Sequence, residues 1–228
     1  MIFTKNEFDE LRRIVFATDS DGRALYPGYR PHIVESPNGD GKLDATKRYA
    51  HVALKYLRAA TDARGGWDRD LRNLDAAIGR CHAEALRVHR DLGLPAAWAP
   101  TLETSALRIL EYPPGATSAL HTDFDMFTLL AYRDPFGGLV RYDHSVEFAL
   151  RDADQFSIGM HFGELYELGG FGRATSHEVE ATSGWQYSAV YFALPRHDLV
   201  LPDGRKVGPD SEPGTYLHER MSRSRLER

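Results

Sequence analysis

Between residues 106 and 192 the sequence breaks into short runs of β-type residues, and that rhythm limits the fold more than any other feature of the chain. The runs span 106–110, 127–132, 138–142, 156–160, 176–180 and 187–192, with turn-forming residues between them. Each is too short for a stable helix, and together they are too many for one hairpin; short strands in such a series close into a barrel or pack as a sandwich. Residues 199–207 add a hairpin turning at Asp203-Gly204. No internal repeat interrupts the pattern.

Helical spacing is confined to the first hundred residues. Phe3, Phe8, Leu11, Ile14 and Val15 recur at near-helical intervals over 1–17. Residues 19–43, rich in Gly, Pro, Asp and Asn, read as a loop, either a surface connection or a lid over a pocket. Asp44 can cap a helix running to about residue 60, with Tyr49, Val52, Ala53, Tyr56 and Leu57 on one face. The clearest helix follows, where Trp67, Leu71, Leu74, Ile78, Cys81, Ala85, Val88 and Leu92 form one apolar stripe. His82 and His89 fall off that stripe and are expected at the surface. Gly93-Leu94-Pro95 ends the helix, and from Glu219 the polar tail is either frayed or a short helix.

A chain of 228 residues with 42% hydrophobic and 27% charged residues can bury a core without staples, so one domain is expected over 1–228. Its parts would be a helical and loop region over 1–100, a β core over 101–210 and a polar tail over 211–228. The formal charge of −5 is dispersed rather than blocked, which speaks against nucleic acid and anionic membrane and for a small-molecule substrate. The lone Cys81 has no internal disulfide partner and falls on the helical stripe, as a buried hydrophobe would. With no signal-peptide-like run at the N-terminus and no membrane-length apolar window, a cytoplasmic location is expected.

Three residues carry the chemistry. His121 and Asp123 are separated by one residue, so on an extended chain they project to the same side and can share one ion. His177, in a later strand-like run, is placed to supply a third ligand if a barrel brings it round. Two imidazoles and a carboxylate on one face of a metal leave the opposite positions open, the arrangement that non-heme Fe(II) oxygenases use for dioxygen and an organic group.

The order of motifs around these residues resembles the isopenicillin N synthase-like branch of the Fe(II)- and 2-oxoglutarate-dependent oxygenases. Residues 107–114, Leu-Arg-Ile-Leu-Glu-Tyr-Pro-Pro, are like that family's strand ending in Tyr-Tyr-Pro-Pro, and His121-Thr122-Asp123 is like its proximal metal motif. Leu129-Leu130 with Gly137-Gly138-Leu139, then Phe162-Gly163-Glu164, Ser176-His177-Glu178-Val179 and Tyr191-Phe192-Ala193-Leu194-Pro195 follow in the family's order over about 105–200. The resemblance implies a double-stranded β-helix, the jelly roll of cupin-like proteins, with Fe(II) held by His121, Asp123 and His177. Tyr112 corresponds to a tyrosine that commonly touches the oxoacid. His144 and His161 match no ligand position and are read as structural.

One departure bears on the cosubstrate. Where the family has Arg-x-Ser about nine residues after the distal histidine, this chain has Gln186-Tyr187-Ser188. Ser188 is kept, and the cation that would fork onto a carboxylate of 2-oxoglutarate is not. Hydrogen bonds to charged groups are worth about 1.5–3 kcal/mol against about 1 for neutral ones, so Gln186 is a weaker anchor. Either another cation, Arg108, Arg133 or Arg141, reaches the oxoacid from a different strand, or the enzyme draws its electrons from the substrate. The expected function is a mononuclear Fe(II) oxygenase or oxidase hydroxylating, desaturating or cyclising a small organic molecule with dioxygen. The alternatives are an Fe(II) oxidase without 2-oxoglutarate and a jelly roll that binds metal or ligand without redox turnover. Phe124 and Trp185, beside the motif residues, either line the pocket or join the core. The sequence leaves the oligomeric state open.

Overall fold

The computed structural model describes residues 2–33, 47–133, 140–142, 159–179 and 181–224. The helix α1 (Lys5–Val15) starts at Thr4, whose side chain and that of Glu7 cap each other's backbone N–H, and it buries Phe8, Leu11, Ile14 and Val15. The long helix α3 (Arg69–Asp91) runs where the stripe predicts, with the Asp68 carboxylate accepting from Leu71 N. Trp67, counted in that stripe, lies ahead of the cap and is exposed. Gly93, at φ +64°, takes the chain out of the helix.

The strands form two sheets. The larger holds β1 (Tyr29–Ile33), β2 (Lys47–Val52), β3 (Ala106–Tyr112), β5 (Phe127–Arg133), β7 (Gly159–Phe162) and β9 (Gln186–Ala193) in the order β1-β2-β3-β9-β5-β7. The smaller holds β4 (Ser118–His121), β6 (Val140–Tyr142) and β8 (His177–Val179) in the order β4-β8-β6, and every pairing is antiparallel. Long crossovers between sequence-adjacent strands and two facing sheets are the jelly-roll pattern.

Two expectations for the N-terminal part are overturned. The stretch read as loop contains β1, and the helix expected from Asp44 is instead the strand β2 followed by the helix α2 (Leu54–Arg64). Arg48–Val52 pairs residue for residue with Glu111 back to Leu107, and that ladder outweighs the helical spacing of Tyr49, Val52 and Tyr56. Residues 34–46, with Asp44, lie outside the described residues, as do 134–139 and 143–158 with Gly137-Gly138 and His144. The helix α4 (Glu164–Leu168) follows Gly163, so that glycine opens a helix rather than a simple strand turn. The tail is helix α5 (Tyr216–Ser224), beginning before the polar run and burying Tyr216 and Leu217.

Alternation along the large sheet divides its two faces. Leu107, Ile109, Leu129, Ala189, Tyr191 and Ala193 join one core cluster with Phe8, Leu11, Leu74, Ile78 and Cys81 of the helices. The intervening residues Arg108, Leu110, Tyr112, Gln186, Ser188, Val190 and Phe192 turn inward and line a cavity between the sheets. The histidines of α3 correct the surface reading: His89 is buried with Nε2 3.2 Å from the Pro95 carbonyl oxygen, and His82 is half-buried with Nδ1 3.0 Å from the Tyr191 hydroxyl. Glu111, on the helix side, is buried and paired with Arg12 of α1 and with Arg48. Among the described residues no helix is long and apolar enough to cross a membrane.

One irregularity matters for the cavity. Along β5 the ladder to β9 runs Leu130↔Val190, then Tyr132↔Ala189 and Arg133↔Ser188, so Ala131 is an extra residue, a β-bulge. Strict alternation from Leu130 would turn residue 132 inward. The bulge reverses the phase: Tyr132 stacks on Phe8 at 4.1 Å between centroids, and Arg133 lines the cavity. The Ala131 carbonyl accepts hydrogen bonds from Ile2 N and Phe3 N at 3.0 and 3.2 Å.

Candidate metal centre

His121 ends β4, His177 opens β8, and the two are cross-strand partners. Asp123 lies two residues beyond β4, in the connection to β5. The ligand atoms of the three residues lie within 4.8 Å of one another, at one end of the cavity. The expected trio is therefore brought together, although Asp123 reaches the group from a loop and not from the extended chain.

That loop is held from several sides. Glu164 N, Leu165 N and Gly163 N, at the start of α4, donate to the carbonyl oxygens of Asp123, Asp125 and Met126 at 2.7, 3.0 and 3.1 Å. A Cβ on Gly163 would come within 2.2 Å of the Asp125 carbonyl oxygen, so this close approach requires glycine. The Glu164 carboxylate accepts from the Thr122 hydroxyl at 2.7 Å, the Tyr216 hydroxyl at 3.0 Å and Arg220 Nε at 2.9 Å. Tyr216 also lies within hydrogen-bond distance of the Phe124 carbonyl oxygen, and Arg220 donates to that of Thr122. Helix α5 thus clamps the residues on both sides of Asp123.

The carboxylate itself is oriented. Thr128 Oγ1 and His161 Nε2 both lie 2.6 Å from Asp123 Oδ2, while Oδ1 lies 3.6 Å from His121 Nε2. Oδ1 faces His121, while His177 Nε2 lies 4.0 Å from Oδ2. Burial works to raise the Asp123 carboxyl, but His177, then the hydrogen bond from His161 and the other imidazole, hold it well below the usual carboxylate range. His177 is pushed well below the usual imidazole range by burial and then by His161, so it is neutral, as a metal ligand must be. Asp125, buried beside Asp123, is driven well above the usual carboxylate range by burial and by that neighbouring charge.

His161, read from sequence as structural, is at the centre: buried, with its ring 4.1 Å from that of His177. Its only sequence signal was its position ahead of Phe162-Gly163-Glu164. Among the other expected site residues, Tyr112, Gln186, Ser188 and Arg133 all line the cavity. So do Arg108 and Lys47, the second missed because its segment read as helix; the Arg141 side chain lies outside the described residues. Lys47 is buried, with Nζ 3.4 Å from the Ser118 hydroxyl and 5.8 Å from the Tyr112 ring centroid. Phe124 is partly buried and stacks on Phe192 at 5.0 Å, whereas Trp185 is exposed.

Comparison with solved structures identifies the architecture. A full-length protein of Neurospora crassa, solved in complex with alpha-KG and thymine, superposes with a TM-score of 0.56 at 19% identity, covering 100% of this chain and 81% of that one. JOX2 in complex with 2OG, Fe and JA gives 0.60 at 15% identity, covering 97% of this chain and 75% of that one. This chain shares the fold of both proteins. In sequence the chain is 30% identical over 166 residues to the 2-oxoglutarate-dependent dioxygenase htyE of Aspergillus rugulosus, a match taking in 60% of this chain and 50% of that protein. It spans about half the length of that curated relative. No family model matches the sequence.

Proposed function

We propose that the protein is a mononuclear non-heme Fe(II) oxygenase that uses 2-oxoglutarate and dioxygen to oxidise a small organic molecule. The observation that carries this reading is the placement of His121, Asp123 and His177 at one end of a cavity whose other end presents Ser188, Arg133, Lys47 and Tyr112. The order of motifs over about 105–200 supports the isopenicillin N synthase-like branch.

Fe(II) fits the donor set: two imidazoles and one carboxylate oxygen suit it and leave positions open. Bound there with dioxygen and the oxoacid, it would supply a two-electron oxidation of a C–H bond coupled to decarboxylation of 2-oxoglutarate. The chain's own residues do the rest. His161 and Thr128 fix Asp123 through Oδ2, with Oδ1 turned toward His121. At the far end, Arg133 faces Ser188 directly across the β5–β9 ladder, so the bulge at Ala131 brings a guanidinium to the layer next to that of Gln186. Lys47 and Tyr112 border the same end, and Gln186 remains as a neutral hydrogen-bond donor.

The test is anaerobic titration of the protein with Fe(II) and then 2-oxoglutarate, reading the visible charge-transfer band and the heat of binding. Both are expected, and Arg133→Gln should weaken the oxoacid by about tenfold or more while leaving metal affinity alone. Metal binding with neither band nor heat would refute the cosubstrate and leave an oxidase that draws its electrons from the substrate.

A further inference from the structure

The inward-facing residues of the large sheet fall into layers. Phe192 pairs with Thr128, whose hydroxyl holds Asp123, so this layer is level with the metal centre. The next contains Arg108, Val190 and Leu130; the next Leu110, Ser188 and Arg133; the last Tyr112 and Gln186. Successive layers are two residues, about 7 Å, apart along a strand. Arg108 is therefore one layer nearer the metal than the Ser188–Arg133 pair, and on the opposite flank of β9.

Arg108 is also held in an unusual way. Its guanidinium lies 4.5 Å from the Tyr49 ring centroid and 4.7 Å from that of Phe192, and its Nε donates to His51 Nε2 at 2.8 Å. Two aromatic faces and one imidazole fix the plane of the group without neutralising it. Among the described residues no carboxylate pairs with Arg108, whereas Arg12 and Arg48, from the two elements flanking β3, share Glu111. A half-buried, oriented cation whose Nη fork is left for a ligand, on the wall of a cavity, is a built receptor for an anion.

Resting on the oxygenase reading above, we infer that Arg108 anchors a carboxylate of the organic substrate, so that the substrate class is small organic acids. Two anion subsites then share the cavity: a deep one for the oxoacid at Ser188 and Arg133, and one beside the metal end at Arg108. Phe192, under the guanidinium and stacked on Phe124, offers the acid's carbon skeleton an apolar surface next to Asp123.

The experiment measures binding heats on the protein loaded anaerobically with Fe(II) and 2-oxoglutarate, using matched probes that differ only in charge: phenylacetate against phenylacetamide, and octanoate against octanamide. At least one acid is expected to bind about tenfold or more tightly than its amide. Arg108→Gln should erase that preference while its oxoacid titration matches the wild type, and Arg108→Lys should keep part of it. Equal binding within both pairs, binding of neither acid, or a preference that survives in Arg108→Gln overturns the inference. So does an Arg108→Gln protein that loses the oxoacid instead, which would assign Arg108 to the deep subsite. Failure of the wild type to bind 2-oxoglutarate at the loading step would count against the oxygenase reading itself, and is seen before any probe is added.

Discussion

Removing Arg220 tests whether helix α5 is part of the metal centre or only covers it. The side chain is 8% exposed; its Nε lies 2.9 and 3.0 Å from the two Glu164 oxygens, and its Nη2 3.2 Å from the Thr122 carbonyl oxygen. Each hydrogen bond to a charged group is worth about 1.5–3 kcal/mol, and breaking a fully buried ion pair by deleting one partner costs about 3–5 kcal/mol. Two facts lower that figure. The Glu164 side chain is 26% exposed, so water can reach it, and it keeps the Thr122 and Tyr216 hydroxyls. Arg220→Ala should therefore cost about 2–4 kcal/mol, read as a shift in the urea midpoint at constant slope. Because the clamp fixes the backbone on both sides of Asp123, Fe(II) affinity should fall by about tenfold, as for loss of an outer partner of a ligand. A double-mutant cycle with Glu164→Gln should show coupling above about 1 kcal/mol. A stability loss under about 0.5 kcal/mol with unchanged Fe(II) affinity would refute the argument and make α5 a passenger.

Two further outcomes can be checked directly. His121→Ala or Asp123→Ala should abolish Fe(II) binding, whereas His161→Ala should weaken it by about 10–100-fold without abolishing it, as measured by metal titration; equal losses would make His161 a ligand. Burial pushes the Cys81 thiol up to about 12, so it is protonated in the folded protein at pH 8 and should react with a thiol reagent only on unfolding; rapid labelling of the native protein would contradict its place in the core.

What could be read from the sequence divides along physical lines. Helix α3 was legible because its apolar spacing and its Asp68 cap are local, and the β core because each run carries its own strand propensity. Strand β2 was not, since Tyr49, Val52 and Tyr56 satisfy a helical period and only the ladder to β3 makes them a strand. His121, Asp123 and His177 were legible as ordered motifs. His161 and Lys47 reach the cavity, and Thr128 reaches Asp123, through pairings of strands that no local pattern reports.

The bulge at Ala131 decides which charge faces the cavity from β5. A scan of the strand after His177 finds glutamine where the oxygenases it resembles in sequence have arginine. The Arg133 guanidinium lies across the sheet, at a place defined by an extra residue in the ladder and not by a motif. Regular pairing of the same residues, with Ala131 opposite Ala189, would instead set Tyr132 opposite Ser188 and put a phenol in the cavity where the guanidinium lies. Which side chain this strand turns into the cavity is set by an irregularity of the ladder, which no single letter of the sequence spells.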